Sequence, residues 1–298
     1  MCVQSQTDSS TVHSFLPALF IEYPNVRDLA ISPFEDELYF SLQGYQGELS
    51  SIICLKKDTN GIWKKADVAD FSGMYQDLEP AFSPDGLRLY FVSNRPNNKK
   101  TTEPKDYDIW YISRKDRNST WSEPINIGAP INTVNNEFYP SITNSNNLYF
   151  TSDAGNTKGK DDIFISKWIN GKYTTPESLS DSINSAGYEF NAFVAPDESY
   201  LIYTCYNRPF GSGSGDLYIS YRNKNGDWSN AQNMGKEINS AQMDYCPFVD
   251  LKGNLYFTSK RNNLVTQFDG KKTISEILEE MNKYENGLSR LYQVKLPK

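Results

Sequence analysis

Residues 79–95 run Glu79-Pro80-Ala81-Phe82-Ser83-Pro84-Asp85-Gly86-Leu87-Arg88-Leu89-Tyr90-Phe91-Val92-Ser93-Asn94-Arg95. The stretch reads as strand, tight turn, strand. Ala81 and Phe82 close the first strand. In Ser83-Pro84-Asp85-Gly86 the proline presets φ, the aspartate caps its own backbone, and the glycine accepts positive φ. Leu89-Tyr90-Phe91-Val92 is a short apolar run of the kind that fills a buried strand.

The phrase returns. Leu38-Tyr39-Phe40, Leu148-Tyr149-Phe150, Leu201-Ile202-Tyr203 and Leu255-Tyr256-Phe257 repeat the apolar run, so its central residue falls at 39, 90, 149, 202 and 256. A strand-rich period near fifty residues, as these positions give, marks a propeller or a solenoid. A second phrase, Asp108-Ile109-Trp110-Tyr111-Ile112-Ser113, recurs at Asp162 and Asp216, and more weakly at Ser51 and Ser289. A third places an aromatic after a Gly or Asn turn: Trp63, Trp121, Tyr173 and Trp228. A polar outer strand follows it, as in residues 122–128. Each unit thus holds four short antiparallel strands, a to d, which is a propeller blade. Five units are counted. The expected fold is all-β, a five-bladed β-propeller, with a ring of six blades as the alternative.

Ser-Pro-Asp-Gly, then Leu-x-Leu-Tyr-Phe-x-Ser-x-Arg, then Asp-Ile-Trp, resembles the WD-like repeats of TolB-type β-propellers. The resemblance covers residues 26–296. It implies a fold far more than a function. Such propellers form parts of periplasmic scaffold proteins and outer-membrane lipoproteins, and non-catalytic domains attached to peptidases. The sequence departs from TolB in carrying no amino-terminal α/β domain and in its blade number, since the TolB ring has six.

Composition narrows the function classes. The chain has 298 residues and a net charge of −7, which argues against a nucleic-acid partner, since that needs a basic face. No apolar run is long enough for a membrane span. The only histidine is His13, so His-based triads and multi-His metal sites have no residues to build on within the ring. Cys2, Cys54, Cys205 and Cys246 include no Cys-x-x-Cys pair. Cys205 and Cys246 fall on one rim in adjacent blades. A disulfide there is one reading and two buried thiols the favoured one.

Residues 1–13 are expected to be a flexible segment and residues 14–298 one propeller domain. Cys2 stands where a lipoprotein would carry its lipid anchor. The alternative is an ordinary thiol in a polar tail. Residues 14–20 resemble the outer-strand phrase at 121–127, and the last unit lacks an outer strand. The first strand is therefore expected to complete the last blade, which removes open sheet edges. In the fifth blade, Ile274, Ile277, Leu278, Met281 and Tyr284 follow helical spacing, with Thr273 and Glu276 placed for a capping box. This helical insert is read as support for the ring, with a lid over the channel as the alternative.

Strand order separates the two rims. Turns a–b and c–d are short and share one rim. The b–c connections, residues 94–107, 153–161, 206–215 and 260–287, are long and lie on the other, where binding residues concentrate. Two constellations converge there. Asp77, Glu137, Glu189 and Asp244 open strand a, with Val26 in the first unit and Asp28 close by. Arg95, Arg208 and Arg261 leave strand b, with Asp153 near that place in the third unit. Because these features repeat once per blade, mutual pairing is favoured over a ligand ring. The functional reading makes them a ligand site with Tyr139, Phe190 and Tyr245 beside them, suited to a sugar or a peptide end.

The leading function is a non-catalytic extracytoplasmic propeller, periplasmic or anchored to an outer membrane. It would bind a protein, a glycan or a peptide of the cell envelope, as a monomer and without nucleic acid. The rival is a glycoside hydrolase using two of Asp77, Glu137, Glu189 and Asp244, because a carboxylate pair suffices for that chemistry. No cofactor is expected, with Ca²⁺ in the channel as a weak alternative. Asp108, Asp162 and Asp216 are read as structural. The discriminating observation is whether two channel carboxylates lack arginine and backbone partners.

Overall fold

A computed structural model of the chain describes residues 11–97 and 101–296. It is a five-bladed β-propeller. Strands a, b, c and d of the first blade are Val26–Ile31, Glu37–Gln43, Ser50–Lys56 and Asp67–Val68. The second blade is Asp77–Phe82, Arg88–Ser93, Asp108–Ser113 and Ile125–Asn126, and the third Glu137–Ile142, Leu148–Ser152, Asp162–Ser166 and Glu177–Ser178. The fourth is Tyr188–Val194, Tyr200–Tyr206, Gly215–Tyr221 and Gln232–Asn233. The fifth joins Asp244–Val249, Asn254–Ser259 and Arg290–Lys295 to His13–Ser14 from the start of the chain.

The turn at residues 83–86 forms as its residues dictate. Gly86 takes φ +67°, its N–H donates to Ser83 O at 2.8 Å, and Asp85 Oδ1 accepts from Leu87 N at 2.9 Å. The repeated apolar run is the core: Tyr39, Tyr90, Tyr149, Ile202 and Tyr256 are all buried. The third-phrase aromatics bind blade to blade. Trp121 of the second blade donates its indole N–H to Tyr39 OH of the first at 3.1 Å, and Trp228 of the fourth packs edge-on to Tyr149 of the third. Buried aromatic contacts of this size make each blade depend on its neighbour.

Closure by the first strand is as expected, but its extent differs. His13 and Ser14 pair with Gln293 and Tyr292, and Phe15 N donates to Leu291 O at 2.9 Å. Leu16 then turns to φ +41° and a one-turn helix, α1 (Pro17–Phe20), replaces the rest of the expected strand. Pro17 fixes a helical φ and Ala18-Leu19 offers no β-branched residue to oppose it. The turn drives Phe20, fully buried, edge-on against Phe40 of the first blade, so one segment ties the last blade to the first.

The insert is a helix, α2 (Ile274–Met281), with the capping box of Thr273 and Glu276 in place. None of the helix residues is buried, so Ile274, Ile277, Leu278 and Met281 face outward, and of the expected stripe only Tyr284, past the helix end, packs on the ring, its OH donating to Leu291 O at 3.0 Å. Cys54, Cys205 and Cys246 are free thiols. Cys2 and most of the segment 1–13 lie outside the described residues.

Candidate functional site

The acidic residues that open strand a are buried and face partners in their own blade. Asp77 accepts from Arg95 Nη2 at 2.7 Å and from Ser72 Oγ at 2.8 Å. Glu189 accepts from Ser185 Oγ at 2.6 Å and from Arg208 at 3.3 Å. Asp244 accepts from Ser240 N and Oγ, with Arg261 at 3.6 Å. Glu137 accepts from Thr133 Oγ1 at 2.7 Å and Thr133 N at 3.2 Å and has no arginine. The three arginines also lie over rings of their blades: Arg95 over Phe91 and Trp110, Arg208 over Tyr218, Arg261 over Phe257 and Tyr292. Each carboxylate thus fastens the loop before strand a, and the pairing serves the blade.

Asp108, Asp162 and Asp216 act likewise. Asp162 accepts from Lys158 N and Ser178 Oγ, Asp216 from Ser212 N and Gly213 N, and Asp108 from Lys105 Nζ.

Two positions further along strand a the pattern changes. Asp28, Glu79, Tyr139, Asn191 and Cys246 occupy equivalent places, and all five sit in the left-handed region, at φ +61°, +58°, +49°, +52° and +53°. The strand pairing slips at the same point in every blade. Such a bulge redirects a side chain, here toward the axis. A non-glycine residue held at positive φ costs about 1 kcal/mol or more, so five of them need strong mutual contacts. They have them. Glu79 accepts from Arg27 Nη2 at 2.8 Å, Tyr139 N at 2.7 Å and Asn191 Nδ2 at 3.2 Å. Arg27 also donates to Asp28 at 2.7 Å and reaches Cys246 Sγ at 3.3 Å. Cys246 Sγ lies 3.4 Å from Asn191 Oδ1, and Tyr139 OH donates to Pro247 O at 2.9 Å. All five blades meet in this one network.

The network partitions the channel. On the short-turn rim lies an apolar funnel of about 280 Å³, walled by Pro80, Pro140, Pro247, Phe193 and Phe248. On the long-loop rim lies a cup of about 450 Å³, walled by Phe138, Tyr188, Phe190, Tyr206 and Tyr245, with Arg27, Glu79 and Asn191 among its lining and Asp161 beside them. Glu79 touches both spaces. Of the residues singled out in the sequence, Phe190 and Tyr245 line the cup and Tyr139 the funnel. Asp77, Glu137, Glu189, Asp244, Arg95, Arg208 and Arg261 line neither. Among the described residues, no group of three or more His, Cys, Asp or Glu side chains is gathered to hold a metal ion. The positive charge at the axis is Arg27.

Burial pushes the Glu79 carboxyl up to about 7, with Arg27 opposing and Asp28 adding to the rise. The Cys246 thiol is held well above its ordinary value by burial, and a thiol kept protonated is a poor nucleophile.

Glu137 is also pushed up to about 7, chiefly by burial, against the Thr133 hydrogen bonds and with Asp108 and Asp106 adding. In the unfolded chain it titrates near its ordinary 4.5. Between these values the folded protein holds a proton that the unfolded chain has released. Stability from this site is complete below pH 4.5 and is lost as the pH rises through about 7. Gln mimics the protonated acid, so Glu137→Gln should match the wild type near pH 5 and exceed it in stability at pH 8. Urea titrations at the two pH values measure the difference. An equal pH dependence in both proteins would remove Glu137 as its source.

The axial residues carried a signal that the repeat-based reading passed over. Asp28, Glu79, Tyr139, Asn191 and Cys246 are five different residue types at one aligned position, directly before the proline slot of Pro80, Pro140 and Pro247. A position that varies where its neighbours repeat is freed from serving the blade.

No family model matches the chain, and no curated protein matches it. Solved structures do. TolB from Acinetobacter baumannii is 15% identical with a TM-score of 0.50, over 90% of this chain and 54% of that one. The catalytic domain of the GH62 α-L-arabinofuranosidase of Coprinopsis cinerea is 10% identical with a TM-score of 0.50, over 91% and 90%. The endo-arabinase of Bacteroides thetaiotaomicron is 15% identical with a TM-score of 0.50, over 83% and 96%. What they share with this chain is the fold. The chain spans about half of the TolB structure's length. The propeller read from the repeats agrees with these likenesses.

Proposed function

We propose that the protein is a non-catalytic binding propeller of the extracytoplasmic space, which takes a protein or cell-envelope ligand at the cup on its long-loop rim. One observation carries the reading: the carboxylates that open strand a and Glu79 on the axis are bonded within the protein, whereas apolar groups on the same rim as the cup are open. Tyr45, Leu49, Met74, Val134 and Phe210 are exposed in b–c or d–a connections, and the outward stripe of α2 belongs to the same rim. The opposite rim exposes fewer, among them Ile62 and Leu251. Exposed apolar groups gathered around a cavity mark an interaction surface. No helix of the described residues is long and apolar enough to cross a membrane. A lipid anchor at Cys2 fits this placement and belongs to the proposal.

The second reading, a carbohydrate-active enzyme, rests on Glu79, whose raised carboxyl borders the aromatic cup. It is the weaker one, because Arg27, Asn191 and Tyr139 N already hold that carboxyl.

A photo-crosslinking residue placed at Tyr206 or at Leu251 in the producing cell tests the face. Adducts are expected from position 206 and not from 251. Adducts from 251 alone would overturn the assignment.

A further inference from the structure

We propose that Asp161, Tyr188 and Tyr206 form a subsite in the cup for a cationic group of the ligand, an ammonium or a guanidinium. This rests on the reading of the cup as the binding site.

Blade 4 departs from blades 2 and 3 at its rim. In blades 2 and 3 the residue before the acidic position and the residue after strand b close the rim with a polar latch. Gln76 N donates to Asn94 Oδ1 at 3.0 Å, and Asn136 donates through N and Nδ2 to Asp153 at 2.9 and 2.8 Å. In blade 4 both members are tyrosines. Tyr188 and Tyr206 are cross-strand partners with rings edge-to-face at 5.8 Å, and both are about 40% exposed. Blade 5, with Met243 and Lys260 at these places, also lacks the polar latch, but blade 4 fills both with open aromatic rings.

Asp161 departs in the same way. Its place is used by the repeat through backbone alone: Glu189 N donates to Asp161 O at 3.0 Å, as Glu137 N does to Tyr107 O at 2.9 Å. The side chain is therefore free to vary, and the three blades carry Tyr107, Asp161 and Gly215. Asp161 forms a backbone β-bridge to Tyr188, and it lines the cup together with the tyrosine pair. Among the described residues that carboxylate meets no donor. Lys158 in the same loop is committed to Asp181 and Leu179 O.

Charge points the same way. The single positive charge of Arg27 faces two carboxylates, Asp28 and Glu79, so the floor carries no surplus cation. Burial and the carboxylates of Asp153 and Asp162 push Asp161 up, the strain that an incoming cation relieves. Tyrosine rings add attraction for a cation, about 0.5–2 kcal/mol each depending on exposure. An anionic group would meet Asp161 and Glu79, and the one positive side chain in the lining of the cup, Arg27, is already paired with Asp28 and Glu79. A neutral group would leave Asp161 unpaired.

Three capped tripeptides that differ only in a central lysine, glutamine or glutamate, titrated by ligand-observed NMR, test this. The lysine peptide should bind about tenfold tighter than the glutamine one, and lose that margin in Asp161→Asn and in Tyr206→Ala. Both substitutions are at partly exposed sites, and an unchanged Tm verifies the fold. Equal or tighter binding of the glutamine or glutamate peptide, weakened by Tyr206→Ala, would overturn the cationic class and keep the cup. Binding that no cup substitution weakens would overturn both. Absence of binding by all three would overturn the subsite.

Discussion

Replacing Glu79 by alanine is expected to lower the unfolding free energy by about 3–5 kcal/mol, because two buried donors, Asn191 Nδ2 and the Tyr139 N–H, lose their acceptor and Arg27 loses one of its two carboxylates. Glu79 is 4% exposed and receives three donors from three other blades, so its loss strands Asn191 Nδ2 and the backbone N–H of Tyr139 and leaves Arg27 with Asp28 alone. The strained positive-φ backbone at Asp28, Tyr139, Asn191 and Cys246 loses contacts that offset it. Glu79→Gln keeps an acceptor for Tyr139 N and for Arg27 and should cost about 1–3 kcal/mol. Chemical denaturation with both variants measures the two values. An alanine variant within about 1 kcal/mol of the wild type would show that the axial network does not hold the ring.

Phe20→Ala should cost about 3–5 kcal/mol, the range for truncating a fully buried phenylalanine. The ring lies against Phe15, Tyr23 and Phe40, at 5.9, 6.4 and 5.1 Å. The site is also the seam where the chain's first strand joins its last blade, and opening it would expose unpaired strand edges. The variant should therefore aggregate on heating sooner than its stability alone requires. Light scattering during thermal unfolding, set beside Phe257→Ala in the same core-truncation class, checks this. Equal aggregation in the two variants would remove the special role of the seam.

The fold was legible because its strongest signals are local. Each a–b turn and each apolar run is written within about a dozen residues, and repetition multiplied the signal: Tyr39, Tyr90, Tyr149 and Tyr256 recur with their flanking residues. The outer edge was less legible. The d strands are two residues long, and residues 14–20 match a strand phrase while Leu16 and Pro17 turn into a helix. The acidic residues opening strand a were legible as a repeated feature, and the favoured expectation of mutual pairing agrees with the contacts of Asp77, Glu189 and Asp244, whereas Glu137 is held by Thr133 with no arginine. The axial network was not, because it depends on a bulge that places unlike residues of five blades at one point. No local pattern in sequence links Arg27 to Glu79, Asn191 and Cys246. The Tyr188–Tyr206 pair was hidden for a related reason: its meaning appears only against the polar latches of blades 2 and 3.

The central claim, a binding cup rather than a catalytic one, is met most directly by one paired assay. Wild type and Tyr206→Ala would be mixed with oligosaccharides and cell-envelope peptides, following the Tm and the release of reducing sugar together. A ligand at a hundred times its Kd adds about 2.7 kcal/mol to the folded state. The account predicts a rise in Tm that is lost in Tyr206→Ala, with no sugar released. Release of reducing sugar that disappears in Glu79→Gln would contradict it.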